Sequence, residues 1–243
     1  NHVRFSLLIA SSAVFGLYVC TTDVVFRYKW EKKMQYGLVA LCVIFLHVLS
    51  VRIGLLALYI GAVSFVFHLV FTANKKKLGM VLLSAMVVLP LLAVLFVPTL
   101  QNKLMNTKND IEAMRSTYNA NFHSLTGRIV SYKVALDVFE DNKVVGVGFG
   151  NLENEIFKSY ASNFSEIRPS KRIFPHNQYF RWLAGGGVLG LFLYLLTLYF
   201  PLFIKVYRAN YLLWVHLIIL SLSMLFEGTL ESQLGLNYGL IFI

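Results

Sequence analysis

Residues 174–187 read Phe-Pro-His-Asn-Gln-Tyr-Phe-Arg-Trp-Leu-Ala-Gly-Gly-Gly, and they join a polar segment to a long apolar one. His176 stands at this boundary, directly after Pro175, and the apolar run that follows continues to Ile204. A run of about 20 apolar residues is long enough to cross the hydrocarbon core of a bilayer. The stretch therefore predicts the start of a membrane-spanning helix with a histidine at its first end.

The whole chain has the composition of a polytopic membrane protein. Of its 243 residues, 57% are hydrophobic and 14% are charged, and the mean hydropathy is +0.65, whereas about a quarter of the residues of a soluble domain are charged. We expect an all-α membrane protein, a polytopic transmembrane helix bundle. The expected spans are 3–22, 35–49, 55–73, 78–97, 183–204, 212–226 and 234–243. Because the chain starts at Asn1 and stops inside an apolar run, we also expect helices before Asn1 and after Ile243.

The net charge of +10 is distributed between the apolar runs. Basic clusters lie at 27–33, 75–77 and 205–208. They do not form one patch interleaved with aromatic residues, as a nucleic-acid site would. Alternating spans place all three clusters on one side, and the positive-inside rule makes that side cytoplasmic.

The chain divides into three parts. Residues 1–98 hold the first four spans, residues 99–181 carry charges of both signs without a run long enough to span, and residues 182–243 hold spans five to seven. Residues 99–181 are therefore predicted to form one large extracytoplasmic loop between spans four and five. Arg52, Glu227 and Glu231 fall on the same side.

Two arginines on this side are candidates for contacting an anion. Arg52 lies at a short turn between two spans, and an ionisable residue at membrane depth indicates a functional site; an arginine that reaches lipid head groups is the alternative. Thr126 is predicted to cap a helix, which places Arg128 in the first turn, where the helix dipole disfavours a cation unless an anion is near. A solvated surface arginine is the alternative there.

His176 is the candidate for proton transfer. At a helix N-terminus the dipole disfavours the imidazolium, and a neutral imidazole is what a general base requires. The alternative is an interfacial histidine hydrogen-bonded to the loop. The glycines in 145–151 precede a helix and could present N–H groups to a phosphate, although a tight turn has the same pattern. The glycines from Gly185 to Gly190 are expected to allow close helix packing.

No cofactor or metal is predicted. The sequence has no closely spaced aspartate pair and no His/Glu metal-binding motif. A phosphate leaving group would then be neutralised by arginine, whose fork of N–H donors suits phosphate oxygens.

Three segments together resemble the O-antigen ligase and polymerase superfamily of bacterial envelope glycosyltransferases. They are Ser-Val-Arg-Ile-Gly-Leu-Leu at 50–56, the stretch from Arg128 through the Gly-x-Gly-x-Gly loop to Gly150, and His-Asn-Gln-Tyr-Phe at 176–180 with its downstream glycines. The family more often has its serine and arginine adjacent, whereas Val51 separates them here. The resemblance covers residues from about Gln35 onward and implies that the chain is the C-terminal portion of such a protein.

The resemblance also implies an activity and a set of site residues. It implies a metal-independent, inverting membrane glycosyltransferase that moves a glycan from an undecaprenyl-pyrophosphate carrier to an acceptor sugar hydroxyl, on an acceptor lipid or glycan. Arg52 and Arg128 would bind the pyrophosphate, and His176 would activate the hydroxyl. Gly148 and Asn177 would be further substrate contacts. The location would be the bacterial inner membrane, with the site on the periplasmic face, in lipopolysaccharide biosynthesis.

Other functions remain open at this stage. A polymerase that joins lipid-linked repeat units would have the same motifs. A transporter of an anionic envelope precursor would place ionisable groups near the bilayer midplane on broken helices, often in repeated halves, and no repeat is evident in the sequence. A non-catalytic scaffold is the third alternative.

Overall fold

The computed structural model describes residues 2–22 and 26–240. Every regular element in these ranges is helical. The chain forms two compact units. The first comprises residues 1–103, 205–223 and 233–243, and the second comprises residues 104–204 and 224–232.

The first unit is built on four long apolar helices. They are α1 (His2–Thr21), α2 (Lys29–Leu49), α3 (Arg52–Phe67) and α4 (Lys76–Phe96), and a π-helical turn at His68–Thr72 lengthens α3. All four are long and apolar enough to cross a membrane. The prediction of multiple membrane-spanning helices is confirmed. Helix α2 starts six residues before the expected span, and α4 continues through Pro90.

Small residues let α1 and α3 pack closely. A Cβ atom at Gly54 would overlap the side chain of Ser6, and one at Gly61 would press on Val14. Leu7, Ala10 and other side chains of α1 are fully buried. This close approach is the packing mode of small residues in membrane helices, where contact between backbones replaces the hydrophobic effect.

The predicted loop 99–181 is mostly helical. It contains α5 (Pro98–Ala113), a 3₁₀ turn at Thr117–Asn121, α6 (Ser124–Asp141), α7 (Leu152–Asn163) and a short turn at Pro169–Lys171. Helices α6 and α7 pack against the start of α8 (Gln178–Tyr199), the fifth helix long enough to span. Their shared core is aliphatic with one buried tyrosine and includes Val130, Val134, Val138, Ile156 and Tyr160. The second unit therefore has a hydrophobic core of its own.

The glycines of α8 allow close packing at two places. Gly185 lies against Phe149 of the preceding loop and Leu152 of α7, and Gly187 lies against the main chain of that loop. Gly187 has φ 64°, ψ −166°, and it breaks the regular geometry of α8. A Cβ atom there would overlap the main chain of Val144.

Loop 143–148 replaces the helix hydrogen bonds that this break removes. The N–H groups of Val147 and Gly148 donate to the carbonyls of Ala184 and Gly185, at 3.0 and 2.8 Å. In return, the N–H groups of residues 188 and 189 donate to the carbonyls of residues 143 and 144, at 2.8 and 3.1 Å. The carbonyls of Ala184 and Gly185 and the N–H groups of Val188 and Leu189 thus keep hydrogen-bond partners across the break, as backbone groups away from water require.

The last segments are short helices. They are α9 (Lys205–Arg208), α10 (Tyr211–Phe226) and α11 (Gln233–Gly239). Helix α10 corresponds to the predicted sixth span, 212–226, and has 16 residues. The end of the predicted seventh span, residues 241–243, lies outside the described residues.

Candidate functional site

The site begins at the N-terminus of α8, which Asn177 caps. Its side-chain oxygen accepts hydrogen bonds from the backbone N–H groups of Tyr179 and Phe180, at 2.9 and 3.1 Å. Its amide nitrogen donates to the carbonyl of Leu225, at 2.9 Å. Both ends of the amide are therefore used to fix the start of α8 against residues 224–232. Asn177 was expected to contact substrate, and these bonds give it a structural role.

His176 lies one residue before this cap, outside the helix. Its Nδ1 atom is 3.2 Å from Oε2 of Glu227. Its carbonyl accepts a hydrogen bond from the hydroxyl of Tyr132, at 3.2 Å; burial raises the pKa of Tyr132, so the hydroxyl keeps the proton it donates. His176 is thus held through both its ring and its main chain. The charged group that it contacts is the carboxylate of Glu227.

Arg128 reaches the same carboxylate from α6. Its Nη2 atom is 2.9 Å from Oε1 of Glu227, and Nη1 donates to the carbonyl of Phe226 at 3.2 Å. Helix α6 starts at Ser124 with His123 as its N-cap, so the assignment of Thr126 as the cap was wrong. Arg128 lies in the second turn of α6, and the anion beside it in the structure is Glu227.

Glu227 is the residue that sequence reasoning did not select. It directly follows α10, and its side chain is only 14% exposed. Burial alone would raise the pKa of its carboxyl. The hydrogen bond from His176 and the positive charge of Arg128 outweigh burial and lower that pKa, which keeps Glu227 ionised. The signal in the sequence was an acid placed immediately after an apolar run, on the same predicted side as Arg52.

A second ion pair lies beside the site. Arg181, one turn into α8, pairs with Glu231, and its Nε donates to the carbonyl of Pro175 at 2.7 Å. Its guanidinium also lies over the ring of Phe174, 4.2 Å from the centroid. The segment 174–176 is therefore fixed from both sides of His176.

A cleft opens beside Arg128 and His176. Its volume is about 410 Å³, and segments of the predicted loop form its walls. The residues that line it are Ala120, Asn121, Phe122, His123, Ser124, Gly127, Arg128, Ser170, Lys171, Ile173 and His176. Its titratable side chains are all basic, two histidines, one arginine and one lysine.

Arg52 lies in the first unit, at the N-terminus of α3. It is exposed, and its Nη2 atom donates to the carbonyl of Lys103 at 3.3 Å. The ammonium of Lys103 in turn binds the carbonyls of Leu49 and Ser50 at the end of α2. Burial, and then the charge of Arg52, lower the pKa of Lys103. Two cations thus meet at the turn between α2 and α3, where Ser50 adopts the left-handed conformation with φ 51°.

Gly148 lies in the loop that packs against α8. It has φ 80°, a conformation that favours glycine. Because its N–H donates to Gly185, that group is engaged within the fold. We therefore give Gly148 no part in the substrate contacts proposed below, and the tight-turn interpretation of the glycine pattern fits its geometry.

Comparison of the sequence with known protein families gives a match. A family model described as O-antigen ligase matches residues 37–195. The chain belongs to the O-antigen ligase family. At the level of this family it is a multi-pass membrane protein of the O-antigen ligase or polymerase type, a glycosyltransferase-like enzyme. Comparisons with curated proteins and with solved structures gave no match.

The family match confirms the resemblance found in the sequence and bears on the site. The matched range includes Arg52, Arg128 and His176. Glu227 lies 32 residues after the end of this range. Only the fold therefore shows that Arg128 and His176 both contact Glu227. Among residues 2–22 and 26–240, no three His, Cys, Asp or Glu side chains gather as metal ligands would.

Proposed function

We propose that this O-antigen ligase family member transfers a glycan from an undecaprenyl-pyrophosphate carrier to a hydroxyl group of an acceptor sugar, without a metal ion and with inversion at the anomeric carbon. The observation that carries the proposal is the convergence of Arg128 and His176 on the two oxygens of Glu227. A fixed cation and a fixed imidazole beside one cleft are the groups that a displacement of pyrophosphate by a hydroxyl needs.

His176 acts as the general base. A carboxylate only accepts hydrogen bonds, so the Nδ1 atom facing Glu227 carries the proton and the lone pair lies on Nε2. Nε2 takes the proton of the acceptor hydroxyl. Glu227 holds the ring in this tautomer and stabilises the imidazolium that forms, as the aspartate of a catalytic triad does.

Arg128 stabilises the leaving group. A guanidinium has five N–H donors, and the bonds to Glu227 and to the carbonyl of Phe226 leave others for phosphate oxygens. Because these bonds fix the group before the substrate arrives, little reorganisation opposes its action in the transition state. Arg52 is the second proposed pyrophosphate contact, and its place in the family-matched range supports it.

The reaction is a single displacement. The acceptor O–H bond breaks as its proton passes to Nε2 of His176, and the oxygen bonds to the anomeric carbon. The bond from that carbon to the phosphate oxygen breaks, and its electron pair leaves with undecaprenyl pyrophosphate. Attack opposite to the leaving group inverts the configuration. We place this site on the periplasmic face, because the basic clusters at 27–33, 75–77 and 205–208 favour a cytoplasmic location for the opposite side.

The test is substitution in the full-length protein, expressed in cells that lack the gene. We expect His176→Ala and Arg128→Ala each to lower glycan transfer by about 10²-fold or more. Arg115→Ala is the control, because Arg115 is an exposed arginine of the same loop that does not line the cleft. Membrane levels and thermal stability are measured for each variant.

The products of the same cells identify the reaction. Wild-type transfer by His176→Ala would refute its role as the base. Loss of acceptor capping with unchanged glycan chain length indicates ligation, and loss of chain length indicates polymerisation. Retained transfer after removal of divalent ions with a chelator is expected, and loss that magnesium restores would contradict the metal-free reaction.

A further inference from the structure

The cleft beside Arg128 and His176 contains a second histidine that the proposed reaction does not use. His123 lines it together with Ser124, Ser170 and Lys171. The ring Nδ1 atom of His123 is 3.0 Å from Oδ1 of Asp110 on α5. The side chain of Asp110 is 14% exposed and that of His123 is 33% exposed. One cleft therefore has two histidines that are each held by a partly buried carboxylate.

The side chain of His123 is not needed to form the helix that it precedes. His123 is the N-cap residue of α6, yet its side chain makes no capping hydrogen bond. Its main-chain carbonyl accepts the bond from Gly127 at 2.9 Å, which any residue would do. The pairing with Asp110 instead fixes the ring, since the carboxylate accepts a hydrogen bond from Nδ1–H and leaves Nε2 for another partner.

The size and chemistry of the cleft restrict what it can hold. A volume of about 410 Å³ lies within the range of small-molecule sites. Hydroxyl, imidazole and cationic groups line it beside Ala120, Phe122 and Ile173. This mixed lining suits a sugar ring, which has both hydroxyl groups and C–H groups, better than a polyprenyl chain, which has no hydrogen-bonding group. The ring next to the reacting bond is a sugar on both the donor and the acceptor.

We propose that this cleft is the subsite for a sugar ring and that His123, held by Asp110, hydrogen-bonds one of its hydroxyl groups. The inference rests on the proposed function, because it takes the occupant of the cleft to be the glycan. The sugar belongs either to the lipid-linked donor or to the acceptor, and the hydrogen bond is the same in both cases. His123 contributes binding, whereas His176 contributes the proton transfer.

The experiment is steady-state kinetics of the full-length protein in proteoliposomes. The donor is the undecaprenyl-pyrophosphate-linked glycan extracted from the source cells, and the acceptor is the acceptor fraction from cells that lack the gene. For His123→Ala we expect the KM of one substrate to rise about tenfold, the effect of one lost hydrogen bond, with kcat changed less than about threefold. Donor and acceptor titrations, each at a saturating level of the other substrate, show which sugar occupies the cleft.

Asp110→Asn and His123→Gln complete the series. Asp110→Asn should raise the same KM less than His123→Ala, because the ring stays but loses its charged partner. His123→Gln should restore part of the affinity, because its amide can still hydrogen-bond a hydroxyl. Glu153→Gln is the matched control, an exposed acid on α7 that does not line the cleft.

Two results separate this inference from the proposed function. If His123→Ala folds and leaves both KM values unchanged while His176→Ala is inactive, the sugar subsite is refuted and the proposed function stands. If His176→Ala is active, the proposed function fails whatever His123 does. Should His123→Ala not fold, unchanged KM values in His123→Gln and Asp110→Asn refute the subsite equally.

Discussion

The two arginines implied by the family resemblance lie in different surroundings. Arg128 is half-buried and bonded to a buried carboxylate and to a main-chain carbonyl. Arg52 is exposed, and it makes a longer hydrogen bond, 3.3 Å, to the carbonyl of Lys103. The first arginine belongs to a network of charged side chains, and the second belongs to a turn between two spans.

The comparison shows what fixes a catalytic cation in place. A guanidinium with two oxygen partners is held in one orientation before the substrate binds, and preorganised donors of this kind have large effects on rate. A guanidinium with one main-chain partner keeps more freedom and must be ordered by its ligand, which costs binding energy. We therefore expect unequal contributions from the two arginines.

The largest expected effect is on activity, from replacing each arginine by lysine. Arg128→Lys should lower kcat/KM by about 10²-fold, because one ammonium cannot bind Glu227, Phe226 and phosphate as the planar fork does. Arg52→Lys should lower it by about tenfold at most. Glycan transfer at matched membrane levels measures both.

Arg115→Lys serves as the control for these two variants and should leave transfer unchanged, since Arg115 is exposed. Equal losses in Arg128→Lys and Arg52→Lys would contradict the comparison. Such a result would show that the difference in surroundings between Arg128 and Arg52 does not change their contributions to transfer.

The second effect is on stability and depends on pH. The pKa of Glu227 is lowered in the folded protein, so its contribution to stability is complete above the pKa of an unfolded glutamate and is lost as pH falls through the lowered value. The thermal midpoint of the wild type should exceed that of Glu227→Gln at pH 7. The difference should shrink as pH falls below about 4. A constant difference from pH 7 to pH 3 would contradict the assignment of Glu227 as an ionised partner.

The smallest effect concerns the turn that carries Arg52. Lys103→Met removes the ammonium that binds the carbonyls of Leu49 and Ser50, and we expect a loss of about 1 kcal/mol in stability. The thermal midpoint of the detergent-solubilised protein measures it. Lys108→Met is the matched control, because Lys108 is exposed on the same helix; an equal shift in both variants would assign the effect to charge alone.

Much of the fold could be predicted from the sequence because long apolar runs determine membrane helices directly. The helices around Leu7, Leu58 and Leu82 lie where the composition places them. Helix ends were less predictable. A local cap starts α2 at Lys29, where the Glu31 carboxylate accepts a hydrogen bond from the N–H of Tyr28, and α6 starts at Ser124.

The candidate site could be predicted only in part. His176 stands out in the sequence because it lies where a polar segment meets an apolar one, and Arg128 stands out because it lies near the predicted start of a helix. Both side chains contact Glu227. The sequence has no local pattern that relates an acid after α10 to a histidine before α8. The role of Gly148 could not be predicted either, because its N–H donates to the carbonyl of Gly185, which lies in another segment of the chain.

The central claim is that Arg128 and Glu227, beside His176, act as one unit in glycan transfer. A double-mutant cycle with Arg128→Gln, Glu227→Gln and the double variant, measured as kcat/KM for glycan transfer, tests it most directly. Residues that share a bond typically couple by about 0.5–3 kcal/mol. We predict that the double variant loses clearly less activity than the product of the two single losses. Losses that multiply without coupling would contradict the claim.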